Sequence, residues 1–405
     1  MGDKWREMRF NDCAELVRDT CQPNESFGKP YIGLEHIEQG TLRLNSIGIA
    51  EDVTSTKSNF KSGDILFGKL RPYFRKVVRI KFDGICSTDI WVVRAKEGVD
   101  QGYLFYWMAS KEFVDIANQG SEGTKMPRAK WDFVTKIKQE LPPLPEQRAI
   151  ASILGALDDK IELNRKMNET LEAMASAIFK SWFVDFDLIP GFGPHKEWQN
   201  SPLGKIPKGW KVGSLDEIAN YLNGLALQKF PPEGDEYLPV IKIAQLRKGS
   251  TEGSDKASTK IAAEYVVNDG DVLFSWSGSL EVVIWCGGRG ALNQHLFKVT
   301  SSNYPKWFYY LWTKQHLTKF QDIAADKATT MGHIQRHHLA AAKVLIPLPD
   351  QLEAVNMVMN PLIEKRINNA IQSRTLASIR DALLPKLLSG EIRVKDEERF
   401  VEKAV

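Results

Sequence analysis

Along residues 141–186, apolar or small side chains return at Ile150, Leu154, Leu157, Ile161, Leu171, Ala175, Ile178 and Trp182, in alternating steps of three and four. That rhythm is the seam of a coiled-coil helix. Asn164 and Asn168 occupy the two places where it asks for an apolar residue, and a polar residue in a seam gives up stability to fix register and partner. Pro142, Pro143 and Pro145 mark where the helix starts, because proline continues neither a helix nor a central strand.

The pattern occurs twice. Leu144-Pro145-Glu146-Gln147 returns as Leu348-Pro349-Asp350-Gln351, 204 positions later, and Val355, Met359, Leu362, Leu376, Leu383 and Leu387 answer the first seam. Asn368 and Asn369 fall where Asn164 falls. Pro361 in the second copy and Gly155 in the first predict a bend or restart about two turns in.

What precedes each helix repeats too. Residues 30–37 (PYIGLEHI) have a counterpart in 237–243 (YLPVIKI), and the GDILF run at Gly63 returns as GDVLF at Gly270. Thr88-Asp89-Ile90-Trp91 is answered by Gln294-His295-Leu296-Phe297, and Gly123-Thr124-Lys125-Met126 by Ala328-Thr329-Thr330-Met331. Each of these last runs follows an aromatic helical stretch, Tyr103 to Trp107 in one copy and Trp307 to Trp312 in the other. Within a copy the β-branched and aromatic runs are short and punctuated by Gly, Asp and Asn, the pattern of several strands with one late helix.

The expected fold is therefore α+β: two tandem α+β domains separated by two long helices that form an antiparallel coiled coil, with an internal pseudo-two-fold repeat. The expected boundaries are 1–141 for the first domain, 142–187 for the central helix and 188–209 for a Pro/Gly-punctuated linker. They continue with 210–345 for the second domain, 346–394 for the distal helix and 395–405 for a tail. Running back along the first helix lets the second bury its seam and places the two domains at opposite ends of a rod. Its uninterrupted part, about 23 to 27 residues, spans roughly 35 to 40 Å. One turn of B-DNA, about 34 to 36 Å, is of the same length.

At 405 residues with 43% hydrophobic content, the chain suits two or three folded domains. A net charge of +3 is nearly neutral for this size, so any basic surface has to be local. Four cysteines at 13, 21, 86 and 286 form no paired spacing and read as reduced thiols. The opening MGDKWREMRF lacks the apolar core of a signal peptide, and no apolar run approaches membrane-spanning length, so a cytoplasmic protein is expected.

The strongest imitation of chemistry is Gly63 to Lys69, which fits the first seven positions of a phosphate-binding P-loop. Position eight is Leu70 and the second copy has no lysine, so a strand ending in a turn explains it better. Glu146, Asp158 and Lys160 imitate a nuclease acid cluster but lie on one helix, where a solvated flank is expected. His333 and His337 are four apart without an acidic third ligand, and no metal site is expected. The stretch Lys69, Arg71, Tyr73, Arg75, Lys76, Arg79, Lys81 interleaves cations with aromatics. Such residues hold phosphates or read guanine edges, and equally form an ordinary charged strand face. The second copy offers Ser275, Trp276, Ser277 and Ser279 at the same place, so similar scaffolds carry different chemistry. No complete P-loop, S-adenosylmethionine loop or Asp/Asn-Pro-Pro-aromatic methyltransferase tetrapeptide is present.

The whole chain resembles the DNA specificity subunit of type I restriction-modification systems. The residues that carry the resemblance are LPPLPEQRAIASILGALDDKIELNRK and SWFVDFD in the middle, IPLPDQ and LLPKLLSGEI near the end, and GDILFGKLRPY and ALNQHLFKV within the copies. The resemblance implies two target-recognition domains, each reading half of a bipartite, asymmetric double-stranded DNA sequence, with the helices setting the spacer. It implies two modification subunits that bind S-adenosylmethionine and methylate adenine, and ATP-driven restriction subunits for cleavage. S-adenosylmethionine, ATP and Mg would belong to those partners, and this chain would hold no catalytic residue, cofactor or metal. The expected DNA-facing residues are Lys69, Arg71, Tyr73, Arg75, Lys125 and Arg128 for one half-site, and Trp276, Ser277, Lys327, Thr330, His333 and Arg336 for the other. Trp182, Phe183, Asp185 and Phe186 are the expected partner-docking residues, with burial in this chain as the competing reading. Asn164, Asn168, Asn368 and Asn369 are expected to set the register. The rival reading is a non-catalytic coiled-coil scaffold or adaptor with two ligand-binding domains.

Overall fold

The computed structural model describes residues 4–187, 189, 191–192, 195–326 and 332–394. The chain divides into two compact units, one of residues 1–159 with 376–405 and one of residues 160–375. Each therefore combines a globular body with a segment of each long helix.

In the first unit a four-stranded antiparallel sheet runs in the order Ala14–Val17, Ile90–Ala95, Ile65–Gly68, Val77–Arg79. The GDILF run supplies a central strand, with Phe67 opposite Trp91. All four of its residues from Ile65 to Gly68 are buried, which confirms a strand where a phosphate loop was imitated. A five-stranded sheet lies beside it, with Pro30–Ile32 parallel to Gly84–Ser87. That parallel pairing is close: a Cβ on Gly84 would sit 2.5 Å from the Pro30 carbonyl oxygen. The aromatic helix Gln101–Ala109 is buried over nearly its whole length, capped by the Asp100 side chain on the Tyr103 amide at 2.9 Å.

The second unit repeats this order with Asn220–Asn223, Leu296–Thr300, Val272–Ser275 and Val282–Ile284. Leu238–Ile241 again runs parallel to a strand, Gly290–Leu292. The duplication read in the sequence is thus a duplication of topology. A hairpin of Trp198–Ser201 and Gly204–Pro207 is found in this unit alone among the described residues.

The central helix spans Leu144–Phe183 and the distal helix Pro349–Leu388, 40 residues each. Neither breaks at Gly155 or Pro361, contrary to the restart expected there. Pro361 is exposed, and the Met357 carbonyl that its missing N–H leaves unmatched belongs to an exposed residue, on the solvent side of the helix. In the first unit Ile150 and Leu154 of the central helix join a core that includes Leu384, Leu387 and Leu388 of the distal helix. In the second, Ala175, Phe179 and Phe183 share a core with Val355, Met359, Ile363 and Ile367.

Polar contacts fix the pairing within each unit. The fully buried Asn164 donates Nδ2 to Gln372 Oε1 at 2.8 Å, and Asn369 donates to Asn168 Oδ1 at 3.0 Å. Asn369 is in the seam, whereas Asn368 is exposed: one residue is 100° of helix, so only one of two consecutive asparagines can face the partner. In the first unit Asp158 accepts from Tyr106 Oη at 2.7 Å and from the buried Arg380 at 2.6 Å. In the second, Glu172 accepts from Tyr310 Oη at 2.8 Å, is paired to Arg366 Nε at 2.9 Å, and also accepts from Lys314. Burial pushes the Glu172 carboxyl up, but Arg366 and Lys314 outweigh it and hold it below the usual carboxylate range.

Glu146, expected on a solvated flank, is buried. It takes a bidentate pair from Arg393 at 2.8 and 2.9 Å and the Trp5 indole N–H at 3.1 Å. The second unit makes the corresponding tie with Trp210 Nε1 donating to Gln351 Oε1 at 2.7 Å. The Leu-Pro-acid-Gln motif thus fastens the first tryptophan of each copy to the start of its helix. Asp158 departs from the same expectation for the same reason, an arginine and a tyrosine waiting in the core.

Candidate nucleic-acid interface

In each unit the two loops singled out in the sequence are joined to one another. In the first, the strand Ile65–Gly68 runs into the turn Lys69–Lys76, which meets the 121–128 loop. The Arg71 amide donates to Pro127 O at 2.7 Å, Leu70 bridges Arg128, and Ala129 N donates to Lys69 O at 2.9 Å. Lys125 is exposed, and Tyr73 and Met126 are about half exposed. Arg128 donates to Asp89 at 3.0 and 3.2 Å, and that carboxylate holds the guanidinium above its usual range.

Arg71 and Arg75 bracket the short turn Pro72–Phe74, and both have left-handed backbones, at φ 51° and 48°. For an L residue this costs about 1–2 kcal/mol each. The surroundings enforce it. Arg71 is anchored through its amide, while its buried Nε has no hydrogen-bond partner. Arg75 donates Nε to Ala109 O at 2.6 Å and lies 3.4 Å from Asp381 of the distal helix. Burial pulls the Arg75 guanidinium down and Asp381 opposes that. Arg75 is therefore occupied inside its own unit, a correction to its expected place on the DNA-facing side: its guanidinium points back into the body, towards a helix end with an unmatched carbonyl.

In the second unit, Trp276 follows the strand Val272–Ser275. Its indole N–H donates to Asn223 Oδ1 at 2.9 Å and lies 3.2 Å from Gln294 O. Ser277 bridges His333, Gly278 N donates to Gly332 O at 2.9 Å, and Ile334 N donates to Trp276 O at 3.0 Å. Ser277 is buried with its hydroxyl 2.9 Å from His295 Nδ1, so it supports the loop rather than presenting itself, which corrects its expected outward role. Arg336 is exposed, donating to Tyr221 O at 3.2 Å with its guanidinium 5.9 Å from the Phe297 ring centre. Lys327 and Thr330 lie outside the described residues.

Sequence reasoning passed over Asp89 and His295. They hold Arg128 in one unit and Ser277 in the other. Their signal was the repeat itself, since both stand just before the strand that pairs with the GDILF or GDVLF run. Met126, at the exposed tip between Lys125 and Pro127, carried no signal.

The partner-docking set divides. Phe183 is 1% exposed and packs on Phe179, Trp210, Trp307, Phe308 and Trp312. It is a core residue, a correction explained by its place on the seam. Trp182 and Phe186 are half-buried, and Asp185 is exposed and paired with Lys180 at 2.5 Å. Among the described residues no cluster of metal-ligating side chains occurs, and no helix is long and apolar enough to cross a membrane.

A duplicated α+β body that shows two joined loops of different chemistry, each copy braced by segments of two long helices, defines a two-headed recognition protein. Its sequence matches the family model for the type I restriction modification DNA specificity domain over residues 2–173 and again over 207–373. The chain belongs to this family. The specificity subunit of the type I restriction enzyme MjaIX of Methanocaldococcus jannaschii is 31% identical over 315 residues, covering 74% of this chain and 71% of that protein. The HindI specificity subunit of Haemophilus influenzae is 25% identical over 459 residues, covering 96% and 99%. The fold is shared with the crystal structure of a type I restriction-modification system S subunit from M. genitalium, at 15% identity and a TM-score of 0.55 over 95% of this chain and 96% of that one.

Proposed function

We propose that this chain reads a bipartite, asymmetric DNA sequence, one half through each unit, and directs partner subunits to methylate or cleave. The observation that carries this reading is the duplicated pair of joined loops with unlike side chains: Lys69, Arg71, Tyr73, Lys125 and Arg128 in one unit, Trp276, His333 and Arg336 in the other. Like scaffolds with unlike surfaces suit two different half-sites. On this reading the paired helices set the spacer, with Asn164, Asn168 and Asn369 fixing their register. Two modification subunits dock on the chain and restriction subunits join for cleavage. S-adenosylmethionine, ATP and Mg act in those partners, and this chain is non-catalytic and works in the cytoplasm. Trp182, Asp185 and Phe186 remain the docking candidates, and Lys327 and Thr330 the candidates from the second loop.

The test is selection from a random duplex library by this chain co-purified with its modification subunit, at a fixed near-physiological salt concentration. A split consensus with a constant gap is expected. Sequence-blind recovery by a well-folded complex would refute the reading.

A further inference from the structure

The turn Lys69–Lys76 carries a conformational cost. Two non-glycine residues four apart, Arg71 and Arg75, hold left-handed backbones around Pro72–Phe74. Strain of this kind persists only where the surroundings over-determine it, and it gathers where a side chain has to be aimed. Here the surroundings are explicit: the Arg71 amide on Pro127 O, the Arg75 guanidinium on Ala109 O, and the Gly68 amide on Lys76 O at 2.8 Å.

What the strained turn delivers is Tyr73. Tyr73 is 49% exposed and its ring touches Phe74 edge-on, with centroids 4.7 Å apart. Exposing a tyrosine forgoes the burial its ring would gain in a core, so the strain does not buy packing. Met126, 47% exposed, stands on the adjoining loop beside the exposed Lys125. Phosphate binding takes cations, N–H donors or hydroxyls: Lys125 and Arg71 supply cations, and the Tyr73 hydroxyl is a donor that Tyr73→Phe removes. An aromatic face and a thioether add nothing for a phosphate. They suit the apolar edge of a base, above all a thymine methyl, or a base face.

We propose that Tyr73 contacts a base of the first half-site, and that Arg75 is the positioning residue that aims it, itself touching no DNA. This rests on the DNA-reading function above and assigns its chemistry within one unit. Arg75 acts through the backbone: its guanidinium ties the far foot of the turn to the end of the helix Gln101–Ala109, and Asp381 steadies it.

The same library selection, run with the complete complex of this chain and its modification subunits, decides the matter. The variants are Tyr73→Phe, Tyr73→Ala, Arg75→Lys and Lys125→Ala, each at several salt concentrations. Tyr73→Ala is expected to lose about ten-fold in preference at one or two adjacent positions of one half-site, with the salt slope unchanged. Tyr73→Phe keeps the wild-type consensus. Arg75→Lys loses preference at the same positions as Tyr73→Ala, since lysine cannot reproduce the planar guanidinium contact. Lys125→Ala weakens binding uniformly and lowers the salt slope by about one. The second half-site is the internal control for folding in every variant, and Asp381→Asn provides a milder perturbation of the same brace should Arg75→Lys fail to fold.

An unchanged consensus for Tyr73→Ala, or a uniform loss with a smaller salt slope, overturns the base contact. An Arg75→Lys profile like wild type, or one that lowers the salt slope, overturns the positioning role. A wild-type complex with no split consensus would instead remove the DNA-reading function on which both depend.

Discussion

Asn164 shows how a single residue can trade stability for specificity. Its amide is fully buried and its Nδ2 is used, but its Oδ1 has no hydrogen-bond partner. An unmatched buried acceptor costs about 1–3 kcal/mol. Asn164→Leu is therefore expected to stabilise the second unit by about 1–2 kcal/mol, read as a higher denaturation midpoint, because Gln372 is exposed and takes water as its new partner. A lower midpoint would mean that the asparagine network contributes more than the apolar seam it displaces. Glu172 makes the opposite case. Its carboxyl is held below the usual range by Arg366 and Lys314 against burial, so its stabilisation is complete above the ordinary carboxylate range and fades as pH falls through the lowered value. Glu172→Gln should cost about 3 kcal/mol near pH 7, since it leaves two cations facing an amide. Denaturation curves at decreasing pH should show the two proteins converging. A difference that stays constant into acid would assign the loss to packing and not to charge.

Elements were the most legible scale. Both long helices could be read because their apolar period runs for many turns, and one strand of each copy because it repeats as GDILF and GDVLF; that these strands lie inside four-stranded sheets came only with the structure. Short strands such as Thr20–Cys21 and Lys256–Ala257 carry too few residues for any period to register. Nor could the period tell which polar residues turn inward. Glu146, Asp158 and Arg380 look like solvated helix charges until Arg393, Tyr106 and the paired helix are in place. Arg75 and Phe183 were misplaced for the same reason: residue type sets what a side chain can do, while the tertiary partner sets which way it faces. Pro361 illustrates a strong local signal overridden. An interior proline costs a helix up to about 3 kcal/mol, yet the distal helix continues through it with neighbours packed into the core. Pro361→Ala should restore one helical hydrogen bond at an exposed site and raise stability by about 1–3 kcal/mol, measurable by chemical denaturation. No gain would show that the chain has adapted to the missing N–H by bending.

For the whole molecule, the proposed ruler makes a demand that half-site recognition alone does not. One heptad inserted in each helix at facing levels of the seam, such as after Arg165 and before Ser373, preserves the apolar rhythm and the Asn168–Asn369 tie but parts Asn164 from Gln372. It lengthens each helix by about 10.5 Å, close to three base pairs of B-DNA. The two lattices do not rotate alike. Three base pairs turn the duplex by roughly 100°, whereas a heptad of straight helix drifts by about 20°. The selected consensus should therefore keep both half-sites and gain about three base pairs of spacer, while affinity falls because either the duplex or the helices must twist to face each other. Restoring the asparagine ties in the new register should not recover that affinity, since the mismatch is rotational. An unchanged spacer with an altered half-site would refute the ruler and move the spacing function into the globular bodies, leaving the helices as braces for the cores they pack into.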